Sequence, residues 1–288
     1  MPASELGLKP ASPVPMPCKI CGGPAPPYGV VDFNKSCAEF RGLRLPLAGV
    51  PVRYGRCAEC GFLFTDAFDD WSDDQFKAHI YNGEYLIVDP DYEERRPRKC
   101  AEMVAALWAR HKAQTRVLDF GGGNDVLCAV LRAKGFPIAK TYDPMVPDYA
   151  LRPHGQFDLI TCFEAFEHMP NPSAGIARMV ECLTETGLVL YSTVVQPADF
   201  DACGLAWCYV GPRNGHISIF TRKALSIAWA GHGLKNFSFT DDLHLAFRKL
   251  PPFLAGLQSH ADAMASAGAA AWTTAMPPAD IVKIFTMQ

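Results

Sequence analysis

Two cysteine pairs of identical spacing, Cys18-x-x-Cys21 and Cys57-x-x-Cys60, are the residues whose types and spacing most directly specify chemistry. Each pair brings two thiolates to one side of a turn, and the glycine after each pair helps that turn to form. Four thiolates at about 2.3 Å around Zn²⁺ close a tetrahedron and leave no position for water, so the expected site is structural. Cys37, in the insert between the pairs, is an alternative ligand. The remaining cysteines of the eleven are scattered among apolar or helical residues, and paired spacing argues for metal over a disulfide framework.

A second chemical signal is the run Val117-Leu118-Asp119-Phe120-Gly121-Gly122-Gly123-Asn124-Asp125, which follows a strand and opens a helix. Ligands bind an α/β sheet at that position, and glycines let the backbone approach them closely. Val126 stands where a dinucleotide fingerprint requires a third glycine, and no Gly-Lys-Ser/Thr follows for a phosphate loop. Asp119 repels phosphate and suits a cationic ligand. Asp143, in Thr141-Tyr142-Asp143-Pro144 at the tip of the next strand, is placed to accept from the two hydroxyls of a ribose. Together they point to a nucleoside bearing an amino acid. A tight turn at Gly121–Gly123 with Asp143 as a helix cap is the reading without chemistry.

The glycine run resembles motif I of the class I S-adenosylmethionine-dependent methyltransferases, and Phe157 to Pro172, containing Phe163-Glu164-Ala165-Phe166-Glu167-His168, resembles their fourth-strand motif. The resemblance implies a doubly wound, Rossmann-like α/β fold and S-adenosylmethionine as cofactor. It implies that Gly121 and Gly123 cradle the methionine portion, that Asp119 serves the same pocket, and that Asp143 holds the ribose. Phe163 and Glu164 would lie beside the cofactor and the transferred methyl. Asp125 replaces the last glycine of the usual motif. The stretch between Asp143 and Phe157 is too short for a full helix and third strand, so the adenine contact is unassigned.

A four-cysteine module ahead of such a core is similar to the deoxysugar C-methyltransferases and related enzymes of polysaccharide and natural-product clusters, over roughly residues 18–240. In those enzymes a Glu-His pair after the fifth strand supplies the base. The matching segment here is Arg213-Asn214-Gly215-His216-Ile217-Ser218-Ile219-Phe220-Thr221: His216 fits, but Gly215 occupies the glutamate's place. Methylation of carbon, oxygen or nitrogen therefore stays open. A histidine, with a pKa near 6.5, suits proton transfer at neutral pH, and His216, then His168, are the candidate bases, with Glu164 a further catalytic candidate. Glu167-His168 also reads as a charge pair at a helix start. Trp207, Tyr209, Tyr81 and Tyr85 could stack on a ring or serve the core.

The elements that must position these residues are read from periodicity. Strands are expected at 116–120, 138–142, 157–163 and 188–193, helices at 98–112, 126–134, 172–183 and 225–231, and a hairpin over 236–248. This alternation predicts a parallel sheet covered by helices. The expected organisation is a disordered proline-rich leader at 1–17, a zinc-ribbon-like module at 18–65, an acidic and aromatic bridge at 66–97, the cofactor-binding domain at 98–250 and a helical tail at 251–288.

With 49% hydrophobic and 20% charged residues in 288 and a net charge of −3, the chain carries no global basic field. It holds no apolar run of membrane-spanning length and no signal-peptide pattern, and so reads as cytoplasmic. Lys19, Arg53 and Arg56 decorate the module, but Glu59 and the acids from Asp66 to Asp74 argue against nucleic acid. The leading expectation is methyl transfer to a small molecule such as a sugar or glycan-linked precursor. The competing classes are an RNA methyltransferase guided by its ribbon and a non-catalytic cofactor-binding or interaction protein. The acceptor and the oligomeric state are not legible.

Overall fold

A computed structural model describes residues 6–9 and 14–254. The expected helix beyond 254 lies outside the described residues. The chain divides into two compact units that are discontinuous in sequence. The first comprises Met1–Tyr92, Glu164–Gly175 and Val194–Ala228, and the second Glu93–Phe163, Ile176–Thr193 and Trp229–Gln288.

The second unit is built on a six-stranded sheet. Its strands are β6 (Arg116–Phe120), β7 (Ile138–Tyr142), β8 (Phe157–Cys162), β9 (Leu183–Ser192), β11 (Lys235–Ser238) and β12 (Leu243–Phe247), in the order β11-β12-β9-β8-β6-β7. β7, β6, β8 and β9 run parallel, while β12 and β11 close the sheet antiparallel. The central strands are nearly continuous apolar runs, as expected where both faces are covered. Val117, Leu159, Leu188 and Leu190 form one core with residues of α3 (Arg95–Leu107) and α4 (Val126–Ala133), and Phe237 and Leu245 of the hairpin join it. This is a doubly wound, Rossmann-like α/β sheet, as the alternation and the resemblance together lead one to expect.

The chain leaves β6 for β7 on one side and returns to β8 on the other, so the loops after β6 and β8 flank a topological switch point. Between β7 and β8 there is only a 3-10 turn at Pro147–Tyr149. Several element boundaries differ from expectation: the helix expected at 98–112 ends at Leu107, and the one expected at 225–231 spans Arg222–Ala230. α3 starts at Arg95, with Pro97 accommodated in its first turn, where no intrahelical donor is needed. β9 starts at Leu183 rather than 188, because Thr184, Glu185 and Thr186 are polar and largely solvent-facing and mask the strand's beginning.

The first unit is an antiparallel assembly. β3 (Pro27–Asp32), β4 (Pro51–Arg56) and β5 (Leu63–Phe64) are joined by β10 (Ser218–Ile219) in the order β10-β5-β4-β3, and β1 (Met16–Pro17) pairs with β2 (Pro24–Ala25). α1 (Asp73–His79) begins with a reciprocal capping box between Ser72 and Gln75. Around it Phe68, Trp71 and Phe76 pack edge to face, with Phe68 and Trp71 centroids 4.7 Å apart. A residue from the far end of the sequence thus completes the sheet of the cysteine module. Among the described residues no helix is long and apolar enough to cross a membrane.

Candidate functional site

In the second unit the glycine loop is shaped by a buried acid. Asp119 is 3% exposed at the end of β6, and its Oδ1 accepts a hydrogen bond from the Thr161 hydroxyl of β8 at 2.6 Å. Burial pushes its carboxyl up to about 7, opposed by the Thr161 hydrogen bond and assisted by the charges of Asp143 and Asp125. A Cβ on Gly122 would stand 2.3 Å from Asp119 Oδ2, so only glycine lets the loop pass over this carboxylate. Gly121 and Gly123 adopt left-handed backbone, with φ of 75° and 57°.

Asp143, at the tip of β7, receives the Gly123 N–H on Oδ2 at 2.9 Å and the Met145 N–H on Oδ1 at 2.8 Å. Each carboxylate oxygen can accept more than one bond, so holding the loop does not preclude holding a ligand. Asp125 explains its own departure from the glycine pattern. It too is left-handed, at φ 64°, a conformation that aspartate tolerates better than most residues. Its carboxylate takes the Thr141 hydroxyl at 2.7 Å and the Arg132 guanidinium at 2.5 Å. Phe163 follows β8 directly and packs partly buried against this unit's core. Glu164, the next residue, has φ 49° and begins the segment that belongs to the first unit.

In the first unit the two cysteine pairs form twin knuckles. Gly22 and Gly61 donate to the carbonyls of Cys18 and Cys57 at 2.9 and 3.0 Å, and both have φ of 74°. The Sγ atoms of Cys18 and Cys60 are 3.6 Å apart and those of Cys21 and Cys57 3.5 Å. All four lie within 4.8 Å of one another. Four sulfurs bound tetrahedrally to one Zn²⁺ stand about 3.8 Å apart, so the set fits such an ion. The Cys60 thiol, hydrogen-bonded to Cys18, lowers that group to about 5, while Cys60 itself is pushed up. Cys37 is not part of this set: its Sγ lies 3.5 Å from His216 Nδ1.

The same unit gathers Glu167, His168 and His216, whose donor atoms lie within 4.8 Å of one another. Glu167 is fully buried in a 3-10 turn at Phe166–His168, and the next helix, α5 (Pro172–Glu181), starts only at Pro172. The reading of Glu167-His168 as a charge pair at a helix start is thereby corrected, because the pair sits in a 3-10 turn ahead of the helix. Tyr209 donates its hydroxyl to Glu167 Oε1 at 2.6 Å, and its carbonyl faces His216 Nδ1 at 2.9 Å. A carbonyl can only accept, so the His216 proton sits on Nδ1 and Nε2 carries the lone pair. The His168 and His216 rings meet edge to face with centroids 5.0 Å apart.

This cluster hangs on the cysteine module. Tyr54 of β4 donates to the His216 carbonyl at 2.6 Å, Thr65 N–H donates to the Ile217 carbonyl at 3.1 Å, and the Thr221 hydroxyl donates to the Cys60 carbonyl at 2.7 Å. Arg213, 4% exposed, donates to the Ile80 carbonyl at 2.9 Å and to Asn82 Oδ1 at 3.0 Å, which anchors the turn before His216. Gly215 has φ 85°, and a Cβ there would lie 2.9 Å from His168 Nδ1. The Tyr81 and Tyr85 rings lie tilted at 59° with centroids 5.1 Å apart, with Tyr85 buried and Tyr81 6.0 Å from His168; Trp207 sits 5.2 Å from Tyr209.

A methyltransferase-domain family model matches residues 92–238, half of the chain. The chain belongs to that family. Among curated relatives, a ubiquinone biosynthesis O-methyltransferase of Xanthomonas oryzae pv. oryzae is 30% identical over 135 residues, 44% of this chain and 55% of the relative. One of the same description from Aromatoleum aromaticum is 27% identical over 105 residues, covering 28% and 45%. The chain thus spans about half the length of the curated relatives it matches. Among solved structures, an amino pentose methyltransferase of Micromonospora echinaspora aligns with TM-score 0.40 and 15% identity over 59% of this chain and 98% of that one. An O-methyltransferase family protein of Burkholderia thailandensis aligns with TM-score 0.45 and 13% identity over 63% and 64%.

The structure brings the expected His168 and His216 together with Glu167 and Tyr209, which the sequence pattern does not mark as their neighbours, and keeps the glycine loop beside Asp119 and Asp143. The one available signal for Glu167 was its place beside His168. Two outcomes test the geometry. Asp119 binds its proton far more tightly in the folded chain than unfolded, so the folded state holds more protons between about pH 4 and 7, and stability falls as pH rises through that window. Ligand-free Asp119→Asn should therefore gain roughly 1–4 kcal/mol over wild type above pH 7 and nothing below about pH 4; a pH-independent difference between the melting curves would exclude charge burial as the cause. Gly215→Ala should cost about 1–3 kcal/mol in urea unfolding, through the left-handed backbone and the contact with His168.

Proposed function

We propose that the protein transfers a methyl group from S-adenosylmethionine to a hydroxyl of a small molecule, of sugar or glycan-linked type. The observation that carries the cofactor reading is the glycine loop laid over the buried Asp119 carboxylate and tied through Gly123 to Asp143. A buried acid there is stabilised in its ionised form by a cation, which the amino-acid end of S-adenosylmethionine supplies, while phosphate would be repelled. Gly121 and Gly123 hold the methionine portion, Asp143 the ribose, and Phe163 and Glu164 the surroundings of the methyl.

The acceptor O–H gives its proton to Nε2 of His216 as its oxygen attacks the methyl carbon. The new C–O bond forms while the S–CH₃ bond breaks, and S-adenosylhomocysteine leaves as a neutral thioether. His168 and Glu167 share the charge that His216 takes up. The choice of oxygen draws support from the relatives named O-methyltransferases. The choice of a sugar draws on the four-cysteine arrangement and on the half-buried Trp207 beside Tyr209, a platform suited to a ring face. The cysteine set holds Zn²⁺ as a structural ion, which keeps the segment of His216 in place.

The alternative of an RNA substrate meets a specific obstacle. Lys19 is engaged by Asp69 at 2.5 Å and by the carbonyls of Thr65 and Pro170, and Arg56 pairs with Asp201 and lies over the rings of Tyr28 and Phe200. Two of the three basic groups in the module are thereby committed within the protein and not poised for phosphate.

Calorimetry on zinc-replete protein tests the reading: S-adenosylmethionine should bind, and Asp143→Ala should weaken it by at least tenfold. His216→Ala should leave that affinity unchanged and lower kcat by about 10²–10⁴-fold. Absence of cofactor binding in the wild type would end the proposal; unchanged kcat in His216→Ala would end the assignment of the base.

A further inference from the structure

We infer that Glu167, His168 and His216 form a second metal site, distinct from the four cysteines, that takes a divalent cation of the zinc class and keeps a coordination position open. Two imidazoles and one carboxylate are a donor set that Zn²⁺ and other first-row divalent ions accept, with metal–ligand distances of about 2.0–2.2 Å. Donors around one such ion stand roughly 3–3.5 Å apart. The three donor atoms lie within 4.8 Å of one another, so binding one ion requires them to draw together by roughly 1–2 Å.

The surroundings are those of a held ligand set. His216 directs Nδ1 at the Tyr209 carbonyl at 2.9 Å, which fixes the tautomer that leaves Nε2 to ligate. Glu167 is oriented by the hydroxyl of the same Tyr209 at 2.6 Å. Hydrogen bonds of this kind to the non-ligating atoms raise ligand basicity and fix orientation. The Glu167 main chain is pinned by Ile217 N–H at 2.9 Å, so the carboxylate and the second histidine are registered through the backbone as well.

Charge supports the same assignment. Glu167 is fully buried and brings one negative charge, and neutral imidazoles add none, so a dication completes the set favourably. Lys35 donates to the carbonyls of Trp207 and Val210 at 2.8 and 2.7 Å, and Arg213 to that of Ile80 at 2.9 Å. Cys37 stands on the Nδ1 side of His216, away from the ligating nitrogen, and burial pushes its thiol up, which keeps it out of a thiolate role. Gly215 keeps the edge of His168 clear.

In naming a consequence the inference rests on the proposed methyl transfer. With its Nε2 lone pair on the ion, His216 would no longer take the acceptor's proton itself: a hydroxyl at the open position would be ionised by the cation, its proton passing to solvent, and the ion would stabilise the resulting alkoxide.

The test reads metal, not turnover. The full chain, stripped of metal under reducing conditions, is titrated with Co²⁺, and bound metal per chain is measured alongside the visible spectrum. The wild type should take up two ions, one showing thiolate-to-cobalt charge transfer and one with nitrogen and oxygen ligation only. Glu167→Gln and His168→Ala should each lose the second ion and keep the thiolate spectrum, which reports that the cysteine module is folded. Tyr209→Phe should keep both ions but bind the second about 10–100-fold more weakly. One ion per chain in the wild type, or an undiminished second ion in Glu167→Gln and His168→Ala, would overturn the inference. S-adenosylmethionine binding, measured separately on the same protein, decides the methyltransferase reading whatever the metal result.

Discussion

Pairing of Ser218–Ile219 with Leu63–Phe64 is the contact on which the arrangement of the histidine cluster depends. Two residues of strand are marginal by themselves, and the pairing persists because the knuckle sheet already offers a buried edge. Tyr54, Thr65 and Cys60 then hold the residues on either side of β10 by hydrogen bonds to backbone carbonyls and to Thr221. A segment about 160 residues downstream is thus fixed to the module that precedes the nucleotide-type sheet. Order at the cysteines and order at His216 are consequently one property.

The second unit solves a different problem, the burial of a carboxylate. Asp119 is almost wholly withdrawn from water with a single hydroxyl donor, Thr161, and two further acids nearby. Left alone, such a group is kept close to neutral by the cost of desolvating its charge. The loop above it has no side chain at Gly122 to fill the space, so the cost is maintained rather than relieved. A site that holds an acid near its ionisation point is prepared to gain when a cation arrives. This physical logic, more than the count of glycines, distinguishes the pocket from a phosphate cradle.

Most of the sheet was legible because period-two apolar strands and amphipathic helices announce themselves locally: 116–120 and 138–142 are strands at the expected residues. What could not be read was any relation set by long-range folding. Gly215 stands where a glutamate was expected, yet the acid near His216 is Glu167, delivered by a turn far away in sequence. Glu167 could be read as half of a charge pair at a helix start because no sequence signal marks the residues after β8 as a buried 3-10 turn. The division into units was likewise hidden, since the segments 164–175 and 194–228 leave the cofactor-type sheet and join the cysteine module.

Among the described residues two non-glycine residues hold left-handed backbone, and both follow the carboxyl end of a parallel strand: Asp125 after β6 and Glu164 after β8. Such conformations cost of order 1–3 kcal/mol and persist only where neighbours over-determine them. For Asp125 the determinants are explicit, an ion pair to Arg132 and the Thr141 hydroxyl, both from elements that flank the loop. Glu164 lies between Phe163, fixed in one unit's core, and the 3-10 turn that buries Glu167 in the other. A glycine at position 164 would relieve the strain of that left-handed backbone. At both positions the strained residue is where the chain leaves the carboxyl end of a parallel strand, and at Asp125 the Arg132 ion pair and the Thr141 hydroxyl hold it there.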